Sequence, residues 1–335
     1  MRNHHPSYLS AEAVAHPNIA LIKYWGNSDN RLRLPANGSI SLNLHELETR
    51  TEVVLDSGLE ADVLYINDEI QSGSALSRVK VFLDDIRIIC GKTRFLKISS
   101  QNNFPSSAGI ASSASAFAAL AAAASCVYGM DLSEKHLSRL ARRGSGSACR
   151  SIPDGITEWF AGTSDLDSYA VSIAPPEHWD LWDCIAITQS KPKKIGSTAG
   201  HQIAQSSPLQ EARIADTPRR LDICRSAISQ KDFDKLADIT ELDSNMLHAI
   251  MLTSEPPLMY WNAASIEIMH HVNHLRSKGV PCAYTLDAGP NVHIICLQTA
   301  LKRLRKEIPE IKGLESMITS GIGEGVRLLR TPDDN

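Results

Sequence analysis

The sequence predicts an α+β protein of two lobes. Strand and helix patterns alternate along the 335 residues without the regular spacing of βαβ units. Residues 11–66 read as strands and turns, whereas helical segments recur at 133–143, 208–230 and 257–278. A polar stretch, Lys191-Pro192-Lys193-Lys194, follows a strand at 181–188 and reads as a linker. The boundary is placed there, giving lobes of residues 1–190 and 191–335.

The elements follow in order. Between 11 and 66, Ser39-Ile40-Ser41-Leu42-Asn43-Leu44 alternates polar and apolar, as Thr51 to Leu55 does more loosely, with Pro35, Gly38 and Gly58 as punctuation. Val79, Phe82, Leu83 and Ile86 recur at helical spacing and predict an amphipathic helix over 77–89. A short strand at 95–98 leads through a polar, glycine-bearing loop into a long Ala-rich helix. Further helices are expected at 133–143, 208–230 and 257–278. Tyr284-Thr285-Leu286 and His293 to Leu297 predict a strand pair around the turn Asp287-Ala288-Gly289-Pro290-Asn291. A helix at 298–308 and a glycine-rich strand at 321–329 complete the chain.

Lys and Arg number 34 against 38 Asp and Glu, a net charge of −4. That balance argues against binding a nucleic-acid backbone, so any anionic ligand must be held by a few placed groups. The seven cysteines (Cys90, Cys126, Cys149, Cys184, Cys224, Cys282, Cys296) lack the spacing of a metal site or disulfide framework. They read as small buried hydrophobes in a reducing compartment. Met1 to Pro6 leads into no apolar signal core, and the small-apolar run Ala114 to Val127 is shorter than the roughly 18–20 residues of a membrane span. The expectation is a cytoplasmic protein with neither membrane nor nucleic acid as partner.

The segment most informative for chemistry runs from Asn102 to Phe117. From Ser106 to Ala116 only Ile110 is bulky. The loop precedes a helix whose first N–H groups and dipole attract anions, and its hydroxyls can donate to a polyphosphate. Neither G-x-x-x-x-G-K-[ST] nor G-x-G-x-x-G is present, so the Walker and Rossmann mechanisms do not fit. On composition alone, a phosphate cradle and a tightly packed, serine-capped helix start both remain open.

Other segments decide between them. The loop resembles motif 2 of the GHMP kinase superfamily, and the whole pattern resembles its mevalonate diphosphate decarboxylase branch. The matching pieces are Ala15 to Gly26, Leu34 to Ser41, the loop itself, Ala141 to Ser151, and Asp287-Ala288-Gly289-Pro290-Asn291. They occur in the family's order, and Asn18-Ile19-Ala20…Lys23-Tyr24-Trp25-Gly26 and Gly144-Ser145-Gly146-Ser147-Ala148…Arg150 are specific to this branch. The resemblance implies a GHMP kinase-like two-lobed fold with its site in the cleft and an N-terminal nucleotide-binding lobe. It also implies ATP-dependent phosphorylation of the C3 hydroxyl of a 5-phosphorylated mevalonate, followed by loss of phosphate and carbon dioxide. ATP would be cradled by Pro105, Ser106, Ser107, Ala108, Gly109, Ala111, Ser112 and Ser113, with Mg²⁺ arriving on it and no dedicated protein metal site. Members are often homodimers.

Residue by residue, the resemblance makes Asp287 the group that orients or deprotonates the hydroxyl and Arg150 the fork that binds the substrate carboxylate. Lys23 would stabilise developing negative charge, although a surface salt bridge is its plainer reading. Asn18 would organise the site, and Tyr24, Ser145, Gly146, Ser147 and His201 would contact substrate. Arg142 and Arg143 read as a charged helix end.

Departures bear on substrate choice. Where typical members read Tyr-Trp-Gly-Lys, this chain has Asn27. His201 stands in place of a methionine, and Ile152-Pro153-Asp154-Gly155 in place of an aromatic-Gly-Gly. Losing an ammonium and gaining Asp154 makes the pocket less positive, which favours mevalonate 5-phosphate and isopentenyl phosphate over the diphosphates. Lys193 or Lys194 could instead replace the charge. A 3-kinase that stops before decarboxylation and a non-catalytic nucleotide-binding protein are the remaining alternatives; the presence of Arg150 and Asp287 argues against both.

Overall fold

The computed structural model describes residues 9–104, 112–190 and 196–332. Strand 9–15 lies between strands 49–55 and 327–330, and strand 96–102 extends the sheet to strands 63–66 and 69–70, six strands in all. On this sheet lie α1 (Gly73–Cys90), α2 (Ser112–Val127) and α3 (Glu134–Gly144). Alanines of α2 pack against Ala11, Ala13 and Ala15, so helix and sheet approach closely. The Ala-rich run is thus a packing surface, as its composition implies.

A second sheet orders strands 170–174, 156–159, 39–43 and 18–22. The Ser/Ile alternation at 39–43 has no solvent face, since all five residues are buried. Ile40 and Leu42 enter the core, whereas the Ser39 and Ser41 hydroxyls accept hydrogen bonds from Arg150. The polar half of the pattern therefore serves a buried cation rather than water.

A third sheet orders strands 282–285, 292–297, 181–187 and 316–321. Short helix α4 (Ser197–Ile203) leads to α5 (Gln210–Gln230) and α6 (Phe233–Thr253), which fill the space between the second and third sheets. Leu221, Cys224, Leu236 and Ile239 join Ile19 and Ile40 of one sheet to Ile185 and Ile295 of the other. The lobes thus share a continuous core. Helices α7 (Ala263–Ser277) and α8 (Gln298–Glu307) cover the outer face of the third sheet.

Three expectations are corrected. Helix α6 was not anticipated, because its Thr, Asp, Ser and Asn residues are weak helix formers and its buried positions wrap beyond one stripe. The helix expected at 257–278 begins only at Ala263, after Pro256 and Pro257, where Asn262 and Ser265 form a capping box. The expected strand at 321–329 is instead two strands, 316–321 and 327–330, in different sheets. Strand 181–187 pairs with C-terminal strands although it precedes the boundary expected after residue 190; the linker residues 191–194 lie outside the described residues. Five cysteines are buried as expected, and Cys90 and Cys126 are half-buried. No helix among the described residues is long and apolar enough to cross a membrane.

The segment between the last two strands crosses the N-terminal lobe closely. Gly323 N–H donates to the Asn43 carbonyl, and Gly325 N–H donates to Asp154 Oδ1 at 2.6 Å. A Cβ at Gly325 would sit 2.1 Å from the Ile152 carbonyl oxygen. Gly325→Ala is therefore expected to destabilise the fold by about 1–3 kcal/mol, the usual cost of overpacking. Urea denaturation should show a lower midpoint at an unchanged slope; a midpoint equal to wild type would mean that the crossing strand adapts freely.

Candidate active site

Strand 18–22 and the turn after strand 282–285 bring Lys23 and Asp287 together across the lobes. Lys23 is buried, and its Nζ donates to Asp287 Oδ1 at 2.6 Å. The Asp287 carboxylate remains 34% exposed, where it lines the central cavity. Burial alone would raise its pKa; the Lys23 ammonium, then His293 and Arg150, outweigh that and hold it at about 2. The plainer reading of Lys23 as a surface salt bridge is thereby excluded.

The Lys23 backbone is fixed from the C-terminal lobe. Its N–H donates to Asp243 Oδ2 at 2.6 Å, and its carbonyl accepts from Arg213 Nη2 and Asn37 Nδ2, both at 2.8 Å. Arg220 pairs with the other oxygen of Asp243. Arg213, Arg220 and Asp243 are all buried. Helices α5 and α6 thus set the height at which the Lys23 side chain enters the cavity.

Arg150 lines the same cavity from the short helical turn 146–151. Its Nε donates to Ser41 Oγ (3.0 Å) and Asn18 Oδ1 (3.2 Å), Nη1 to Ser39 Oγ (2.8 Å) and Nη2 to Asn18 Oδ1 (3.0 Å). One N–H remains on each terminal nitrogen, and no carboxylate among the described residues pairs with it. Asn18 is anchored in turn, its Nδ2 donating to the Ser147 carbonyl (3.1 Å) and Ser151 Oγ (2.8 Å). It is a scaffold for the guanidinium.

Tyr24, Ser145, Gly146, Ser147 and His201 line the same cavity. His201 stacks on Tyr24 with ring centroids 4.1 Å apart, and its Nδ1 accepts from Gly26 N–H at 3.0 Å. Burial, then the positive charges of Arg33 and Arg150, pushes its pKa down to about 3, so it is a neutral wall. A Cβ on Gly146 would meet the Tyr24 ring at 2.8 Å, which explains that glycine between two serines.

Two substrate-choice expectations do not match the geometry. Asp154 turns away to Gly325 and adds no negative charge to the cavity lining. Asn27 accepts from the Tyr24 hydroxyl and donates to Asn30, so its amide braces Tyr24 without itself lining the cavity. Arg142 is also corrected: it is wholly buried and bonds to Leu32, Ser168 and Asp165, so it ties elements together rather than ending a helix in water.

Of the phosphate loop, Pro105, Ser106, Ser107, Ala108, Gly109 and Ala111 lie outside the described residues. Ser112 opens α2, and Ser113 Oγ lies 3.1 Å from Ser145 Oγ. Beside that helix start lies a second, mainly apolar cavity, walled by Leu64, Ile66, Ile98 and Phe117 with Ser100 and Asn102 at its edge. Sequence reasoning missed the two further cationic residues of the central cavity, Arg33 and Arg78, and the apolar lining of Ala20, Trp25, Leu247 and Ala288. Both arginines come from segments with no recognisable motif. Arg33 lies between two motif pieces and Arg78 far from any, so charge was the only signal either carried.

The family model described as the diphosphomevalonate decarboxylase-like N-terminal domain matches residues 15–170. That described as the mevalonate 5-diphosphate decarboxylase C-terminal domain matches 184–323. The chain belongs to the diphosphomevalonate decarboxylase family. This branch of the GHMP kinase superfamily consists of ATP-dependent carboxy-lyases, in agreement with the resemblance read from the motifs. A Candida albicans member is 40% identical over 85% of this chain and 83% of its own. The human member is 38% identical over 84% and 75%, respectively. The mevalonate diphosphate decarboxylase structure from Enterococcus faecalis superposes with a TM-score of 0.90 at 38% identity, covering 97% of this chain and all of that one. The Staphylococcus aureus structure gives 0.92 at 37%, covering 96% and 98%. The family fold of two lobes around a cleft is therefore the fold of this chain.

The depressed Asp287 pKa fixes the sign of a pH test. The ion pair stabilises the fold above the ordinary aspartate pKa of about 3.9, and that contribution is lost as pH falls toward 2. Lys23→Met is expected to lower the denaturation midpoint at pH 7, with the gap from wild type persisting to about pH 4 and narrowing as pH falls from there toward 2. A gap independent of pH would show that the charge pair is not what the substitution removes.

Proposed function

We propose that this chain decarboxylates mevalonate 5-diphosphate to isopentenyl diphosphate at the expense of ATP. The observation that carries the reading is the convergence, on one cavity, of the Lys23–Asp287 pair and the unfilled fork of Arg150. Relatives of 36–40% identity are diphosphomevalonate decarboxylases, and a matching structure is a complex with MVAPP, AMPPCP and magnesium. Preference for mevalonate 5-phosphate, expected from Asn27 and Asp154, is set aside because Asp154 turns away from the cavity to Gly325 and the similar proteins are diphosphomevalonate decarboxylases.

The chemistry follows from the groups present. The C3 hydroxyl oxygen attacks the terminal phosphorus of ATP; the new O–P bond forms as the bridging P–O bond breaks and ADP departs. Asp287 accepts the hydroxyl proton. A carboxylate held near 2 is a weak base, so the proton moves only as O–P bond formation makes the hydroxyl acidic, and Asp287 acts chiefly by orientation. Lys23 keeps Asp287 ionised and lies beside the charge that develops. The C3–O bond then breaks with its electron pair leaving on phosphate. The bond to the carboxylate carbon supplies the electrons of the new alkene, releasing carbon dioxide. Arg150 holds that carboxylate through its free N–H groups until the bond cleaves.

The apolar cavity beside α2 suits a purine, and the N-terminus of α2 with Ser112 and Ser113 suits the phosphates. Magnesium carried on the nucleotide would neutralise phosphate charge; among the described residues no cluster of His, Cys, Asp or Glu is arranged to hold it alone.

Three measurements check the reading. Wild type should release one carbon dioxide for each ADP; ADP alone would mean a kinase, and neither product a binding protein. Asp287→Asn should lower kcat by about 10²–10⁴ with substrate binding retained, and near-normal turnover would remove it from the mechanism. Arg150→Lys keeps charge but loses the fork, so kcat should fall steeply and KM rise; wild-type behaviour would place carboxylate recognition elsewhere.

A further inference from the structure

We propose that Arg33 binds the terminal phosphate of the substrate and sets the preference for a diphosphate. The inference deepens the diphosphate reading above and rests on it. Arg33 sits in the hairpin of strands 27–29 and 34–35 with φ +50°, a left-handed conformation that costs a non-glycine residue energy. Its Nε donates to the Arg143 carbonyl at 2.9 Å. Arg78 approaches from α1, donating through Nε (3.3 Å) and Nη2 (2.9 Å) to the neighbouring Gly144 carbonyl, with its guanidinium over the Phe117 ring. The C-terminal carbonyls of α3 thus gather two guanidiniums at one wall of the cavity.

Among the described residues, no carboxylate pairs with either one. Arg139, Arg142 and Arg143 nearby all pair with Asp165. Burial, and then the charge of Arg33, lowers the Arg78 pKa to about 10, as expected where like charges lack a counter-ion. The terminal nitrogens of Arg33 have no hydrogen-bond partner among the described residues, while the hydroxyls of Ser113 and Ser145 line the same cavity. Partly desolvated paired cations beside hydroxyl donors fit an anion with several charged oxygens, which a phosphoryl group supplies. Arg150 and Lys23 are committed to the reacting end. The second phosphate of the substrate is left to the Arg33–Arg78 wall, since Asn27 is neutral and turned to Tyr24. Of the two guanidiniums, Arg33 keeps both terminal nitrogens free among the described residues, whereas Arg78 donates through Nη2 to Gly144.

The test compares wild type, Arg33→Gln and Arg33→Lys on mevalonate 5-diphosphate, mevalonate 5-phosphate and ATP, with a denaturation midpoint for each protein. Loss of a charge-assisted hydrogen bond should lower kcat/KM for the diphosphate by about tenfold to a hundredfold, mainly through KM. The monophosphate and ATP constants should change little, and Arg33→Lys should recover part of the loss. An equal loss on both mevalonates, or a loss confined to the KM of ATP, overturns the assignment of Arg33. So does an unchanged substrate ratio in a wild type that does use the diphosphate. A wild type that turns over only the monophosphate overturns the diphosphate reading itself.

Discussion

A buried ammonium meets a carboxylate at the seam between the lobes, and the site depends on that contact. Lys23 and Asp287 are 264 residues apart in the chain, yet Nζ and Oδ1 lie 2.6 Å from one another. Taking a lysine out of water costs several kcal/mol unless a partner is held in place. Geometry here is held from behind. Asp243 and Arg213, on α6 and α5, bond the Lys23 backbone, and the core they cross is continuous with both flanking sheets. The lobes are therefore locked in register at the proposed reaction centre.

The rest of the cavity follows a related rule. Its cations are oriented by neutral acceptors and lack carboxylate partners among the described residues. Arg150 leans on Asn18, Ser39 and Ser41; Arg33 and Arg78 lean on the carbonyls that end α3. A carboxylate neighbour would satisfy each guanidinium and leave nothing for a ligand. Hydroxyl and carbonyl partners fix direction while keeping the positive charge available. The −4 net charge of the chain is compatible with an anionic substrate because the few cations that matter are concentrated at one place.

Much of this was legible in the sequence. The strands and helices that carry the motifs could be read from spacing, and the family and the grouping of Asn18, Lys23, Tyr24, Arg150 and Asp287 from resemblance alone. What escaped depended on neighbours. Helix α6 is buried on more than one face, so it has no single apolar stripe to detect. Arg142 has the composition of a solvated helix end but is enclosed by the 165–168 turn. Asn27 and Asp154 were read by position along the chain, whereas their partners, Tyr24 and Gly325, determine where they point. Arg33 and Arg78 belong to no motif, and only tertiary proximity reveals two unpaired guanidiniums side by side.

Asp243 bonds the Lys23 backbone and thereby sets the ammonium beside Asp287, so its loss should act on turnover through Lys23. A double-mutant cycle on kcat, using Asp243→Asn, Lys23→Met and the pair, tests it most directly, with denaturation midpoints to confirm that each protein is folded. Strong non-additivity is expected: once Lys23 is gone, Asp243→Asn should lower kcat little further. Fully additive losses would contradict it, showing that the clamp and the ammonium act on catalysis separately.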